Sequence, residues 1–65
     1  MNCKECGNRM FLDDVHTIRR GNFDNYWVCT VCETSCIELV RCGISLSEKW
    51  YSENNGKSKE YIVKN

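Results

Sequence analysis

Apolar and β-branched positions gather in short runs along this chain, punctuated by Gly21-Asn22, Gly43 and Asn55-Gly56. Runs of this kind read as strands joined by turns. The first, Arg9 to Arg20, carries Met10, Phe11, Leu12, Val15, Thr17 and Ile18. Gly21-Asn22 suits a two-residue hairpin turn. Asp24 to Val28 then forms the return strand. A turn at that place sets Arg20 opposite Phe23 and Arg19 opposite Asp24. It also sets Thr17 opposite Tyr26, His16 opposite Trp27 and Val15 opposite Val28, pairings that a sheet favours.

A third strand is predicted over 35–42, from Cys36, Ile37, Leu39, Val40 and Cys42, with Gly43 breaking or bulging it. The stretch from Ser47 to Val63 has two readings. Asn55-Gly56 is the strongest short hairpin signal in the chain. Folded about it, Trp50 faces Tyr61, Lys49 faces Ile62 and Tyr51 faces Glu60. The rival is a short helix capped by Ser45 or Ser47 and ending at Asn54 to Gly56. The hairpin is favoured, and Asn65 is expected to fray.

Cysteine changes this picture most. Cys3-Lys4-Glu5-Cys6 and Cys29-Thr30-Val31-Cys32 are two C-x-x-C pairs separated by 22 residues, enough for one hairpin out and back. Two tight turns, each offering two sulfurs, suit one tetrahedral Zn²⁺. Gly7 follows the first pair and can take the positive φ that turns backbone N–H groups toward the sulfurs. A chain of 65 residues has a marginal core and needs such a staple. With no export signal or membrane-spanning run, a cytoplasmic location is expected, and reducing conditions favour a metal over disulfides.

These four cysteines, with a hairpin between the pairs and a strand after them, resemble the zinc-ribbon family. The resemblance covers residues 1 to about 42 and implies a small all-β ribbon; the expected organisation is that ribbon over 1–46, with the hairpin or short helix read above over 47–65 packed on it. It implies Cys3, Cys6, Cys29 and Cys32 as ligands of one structural zinc. Many ribbons have glycine after the second pair, where Glu33 stands here; that leaves room for a looser second turn or for Cys36 as a ligand. The chain is also similar to the small zinc domain of some bacterial antitoxins, without the helix-turn-helix that follows there. Family members are binding modules, so the implied function is a non-enzymatic regulator, adaptor or inhibitor that binds a larger protein. A closed four-thiolate site leaves no position for catalytic water. A nucleic-acid-binding ribbon is the alternative. A rubredoxin-like iron carrier comes third, weakened by Glu33 and by the lack of a C-P-x-C-G turn.

The other candidates are weaker. Lys plus Arg and Asp plus Glu each number 9, so four thiolates and a divalent ion leave about −2, unlike the basic surface of most nucleic-acid binders. Arg19 and Arg20, with Arg9 and Arg41, are nevertheless candidates for a basic strip beside Phe23, Tyr26 and Trp27. Trp50, Tyr51 and Tyr61 are candidate anchors for a protein partner or a homodimer contact. Cys36 and Cys42 read as small buried hydrophobes, His16 as an ordinary strand histidine and Asp13-Asp14 as solvated surface.

Overall fold

The computed structural model describes residues 1–54 and 56–65. Five antiparallel strands form one open sheet in chain order, with no helix among the described residues: β1 (Phe11–Arg19), β2 (Asn22–Val28), β3 (Ser35–Arg41), β4 (Ile44–Asn54) and β5 (Lys57–Lys64). The fold is small and all-β, with a four-cysteine cluster compatible with a zinc ribbon.

The pairing of β1 with β2 corrects the expected register. Arg19 pairs with Asn22, Thr17 with Phe23, His16 with Asp24 and Val15 with Asn25. The turn is Arg20-Gly21, one residue earlier than expected, because Gly21 (φ +80°) supplies positive φ at the second turn position. Two irregularities, between Leu12 and Asp14 and between Thr17 and Arg19, slide β1 further. Such bulges bend and twist an edge strand, which hinders pairing with another chain.

Strand β3 ends at Arg41 rather than at residue 42. Arg41 pairs with Ile44 across Cys42-Gly43, where both residues have positive φ (53° and 74°). That is a type I′ hairpin turn, with cysteine where asparagine is usual. Cys42 is therefore exposed at a turn, not buried in a strand. The Asn22 side chain accepts a hydrogen bond from its N–H at 2.9 Å.

Ser47 to Asn54 and Lys57 to Val63 are strand, with the pairings Trp50–Tyr61, Lys49–Ile62 and Tyr51–Glu60 as expected. Asn55 of the expected turn lies outside the described residues. Asn65 does not fray: its N–H donates to the Leu46 carbonyl at 2.9 Å and its amide to Ser45 at 3.0 Å.

Alternation gives the sheet two faces. Across one face run Leu12, Trp27, Cys36, Trp50 and Tyr61, each opposite the next. The N-terminal segment covers this face near the cysteines. There Cys3, Met10, Cys29, Cys36 and Trp50 form the buried core, with Met1, Trp27, Tyr61 and Val63 packed against it. Trp50 is the largest of these buried side chains. Its indole N–H donates to Glu48 at 3.0 Å, and its ring stacks on Tyr61 with centroids 6.4 Å apart. Tyr26, Val28, Ile37, Leu39, Tyr51 and Ile62 lie on the other face, which no element among the described residues covers.

Candidate metal centre

Two copies of one backbone motif build the site. In residues 3–8, the Cys3 N–H donates to the Asn8 carbonyl at 2.8 Å and the Gly7 N–H to the Cys3 carbonyl at 2.9 Å. In residues 29–34, the Cys29 N–H donates to the Thr34 carbonyl at 2.8 Å and the Glu33 N–H to the Cys29 carbonyl at 3.1 Å. Gly7 and Glu33 occupy the same place and the same left-handed conformation, φ +77° and +59°. The second turn is thus closed in the same manner as the first, without the glycine. Next along each turn stands a polar side chain that reaches the second sulfur. Asn8 Nδ2 donates to Cys6 Sγ at 3.3 Å, and Thr34 Oγ1 lies 3.1 Å from Cys32 Sγ.

The two turns bring all four sulfurs within 4.8 Å of one another. Cys3 and Cys32 are 3.4 Å apart, Cys6 and Cys29 3.5 Å, and Cys29 and Cys32 3.6 Å. A tetrahedron with metal–sulfur bonds of ~2.3 Å has edges of about 3.8 Å. The donor set fits one tetrahedral ion, and four sulfurs complete its shell. Zinc and iron both accept such a set.

The thiols differ in acidity. The side-chain and backbone amides of Asn8 bring Cys6 down to about 6. Burial pushes Cys3 up, but the N–H groups of Cys6 and Glu5 outweigh it and leave the thiol below its ordinary value. The Thr34 hydroxyl pulls Cys32 down; burial and the Cys3 and Cys6 thiols push it up to about 11. Metal binding therefore has to displace protons, chiefly on the Cys32 side.

Cys36 stands apart from the cluster. It is fully buried in the core, where burial and the carboxylates of Glu48 and Glu38 push its thiol up to about 12. A neutral thiol of that kind is packing. His16 is exposed on β1 opposite Asp24, not beside Trp27. Asp13 and Asp14 sit at the first bulge of β1, both exposed.

The arginines do not make one strip. Arg9 and Arg19 flank opposite ends of β1, about 30 Å apart for nine residues. Arg41 is paired with Asp24 at 3.1 Å. Arg19 and Arg20 are exposed at the end of the sheet away from the cysteines. Trp50 is core rather than surface, and Tyr61 backs it; of the three aromatic anchors expected in this region, Tyr51 alone lies on the uncovered face. Sequence reasoning missed the matching roles of Asn8 and Thr34. Their signal was the equal spacing from Cys6 and Cys32.

Comparison with family models, with curated proteins and with solved structures gives no match. No helix is long and apolar enough to cross a membrane among the described residues.

Proposed function

We propose that this chain is a non-enzymatic zinc module, a small regulator or adaptor that binds protein through the uncovered face of its sheet. The observation that carries a structural role for the metal is the closed set of four sulfurs within 4.8 Å. Catalytic zinc keeps a position for water, and this donor set has none to spare. Residues Cys3, Cys6, Cys29 and Cys32 hold the ion. The ion joins the N-terminal turn to the β2–β3 turn, and so fixes the core around Trp50.

Protein binding is supported by the apolar side chains of the open face, since contiguous patches of this kind mark interaction sites. A nucleic-acid platform would need phosphate-binding charge beside its aromatics. Here Tyr26 and Tyr51 are flanked by Asp14, Asp24 and Glu60 as well as by Lys49. Affinity capture with the metal-loaded chain, from cells that express it, tests the reading. The expected result is a protein that survives nuclease treatment and is lost when the metal is chelated. Captured material that nuclease removes entirely would overturn it.

A further inference from the structure

Asn8 and Thr34 hold equal places, two residues after the second cysteine of each turn, and each touches both cysteines of its own turn. The Asn8 carbonyl accepts from the Cys3 N–H at 2.8 Å, while its side-chain amide donates to Cys6 Sγ at 3.3 Å. The Thr34 carbonyl accepts from the Cys29 N–H at 2.8 Å, while its hydroxyl lies 3.1 Å from Cys32 Sγ. The carbonyl contact pins the backbone, so the turn itself aims the side chain at the sulfur.

The two places differ in their access to water. Thr34 is 1 % exposed, the one buried polar residue among the described residues. Asn8 and Cys6 are both exposed, whereas Cys3 and Cys29 are buried and Cys32 is half-buried. A metal-bound thiolate has no proton left, so the Thr34 hydroxyl has to donate and the sulfur accept. Such a bond to an anion is stronger away from water, and no solvent molecule stands ready to replace it. At Cys6, water can take over from the Asn8 amide.

We infer that Asn8 and Thr34 are positioning residues of the metal centre with unequal tasks: the Thr34 hydroxyl sets how tightly the ion is held, and the exposed Cys6–Asn8 pair is the corner at which thiol-directed reagents and competing ligands reach it. Four thiolates around a divalent ion carry a net charge of about −2, and the two donors draw off part of it from one sulfur of each turn. Partners of this kind orient the ligands and change metal affinity by about 10–100-fold. Of the four sulfurs, that of Cys6 alone belongs to an exposed residue, so an incoming reagent meets it first. The inference rests on the reading of Cys3, Cys6, Cys29 and Cys32 as zinc ligands.

The test uses the full chain loaded with zinc or cobalt(II), as wild type, Thr34→Val, Thr34→Ser and Asn8→Ala. Valine keeps the shape of threonine without the hydroxyl; serine keeps the hydroxyl without the methyl. In competition with a chelator of known affinity, Thr34→Val should bind zinc about 10–100-fold more weakly, and Thr34→Ser should stay within about three-fold of wild type. Asn8→Ala should change affinity by less than about five-fold, since water takes the place of the amide. With cobalt, the sulfur-to-metal charge-transfer band should move to longer wavelength in Thr34→Val and stay in place in Thr34→Ser, because a sulfur that loses its donor is more electron-rich.

Iodoacetamide probes the exposed corner: its carbon bonds to the sulfur as iodide leaves. Peptide mapping of the zinc-loaded protein should find Cys6 modified first among the four cysteines. Asn8→Ala should speed that step roughly two- to ten-fold. Serine as damaging as valine would make Thr34 a packing residue, and full affinity in Thr34→Val would leave it no part in holding the ion. Either result overturns the inference while the zinc reading stands. So does first modification at Cys3, Cys29 or Cys32, or an Asn8→Ala protein alkylated at the wild-type rate. A wild type that binds neither zinc nor cobalt would overturn both.

Discussion

Replacing Glu33 by glycine should make the protein more stable, although it deletes a whole side chain. Glu33 holds φ +59° at the place where the first cysteine turn has Gly7 at φ +77°. The left-handed conformation costs an L-residue roughly 1–2 kcal/mol. Glycine removes that cost but adds conformational freedom to the unfolded chain, worth about 0.4–1 kcal/mol. The balance favours Glu33→Gly by about 0.5–1 kcal/mol. Gly7→Ala is the mirror experiment and should lose about as much. A Cβ at Gly7 meets nothing within 4 Å, so the loss would be backbone strain alone. Thermal unfolding at fixed free zinc reads both, with shifts of roughly 2–8 °C in opposite directions. Glu33→Gln keeps the Cβ while removing the charge, and should recover little of the gain. A Glu33→Gly variant no more stable than the parent, with Gly7→Ala neutral, would refute the equivalence of the two turns.

Three further outcomes follow from the packing. Cys42→Asn should stabilise the β3–β4 turn by about 0.5–1 kcal/mol in denaturant unfolding, because asparagine tolerates the φ of 53° that cysteine now holds. Trp50→Ala should cost about 3–5 kcal/mol and abolish zinc-dependent near-UV circular dichroism, since it empties the centre of the core; retained folding would contradict the assignment of β4 to that core. For Cys36, the folded thiol is pushed up to about 12 from an ordinary 9.0. Its burial thus contributes stability that is complete below pH 9 and is lost as pH rises from 9 toward 12. The loss approaches ~1.4 kcal/mol per pH unit for a full proton difference. Cys36→Ala should flatten that alkaline decline in pH-dependent unfolding, and an unchanged slope would refute it.

Much of the fold was legible because strands, turns and metal ligands leave local marks. The β4–β5 hairpin followed from Asn55-Gly56 and the alternation around Trp50 and Tyr61. The metal cluster followed from the spacing of Cys3, Cys6, Cys29 and Cys32. The β1–β2 register did not, since bulges at an exposed edge leave no periodic trace and β1 has no fully buried face to fix its frame. Cys42-Gly43 was missed because a type I′ turn is normally recognised by asparagine or aspartate before the glycine. Trp50 stood as a surface candidate because its burial depends on the N-terminal segment folding over β4, a contact between residues far apart in sequence. The backbone hydrogen bonds that close the second turn around Glu33 carry no residue signature at all.

Native mass spectrometry of the wild type and of the six single Cys→Ser variants tests the central claim most directly. The protein as a four-thiolate zinc module should carry one zinc per chain in the wild type, in Cys36→Ser and in Cys42→Ser. Cys3→Ser, Cys6→Ser, Cys29→Ser and Cys32→Ser should each lose the ion or hold it far more weakly. Iron in place of zinc, a metal-free wild type, or loss of metal on Cys36→Ser with retention on Cys32→Ser would contradict it.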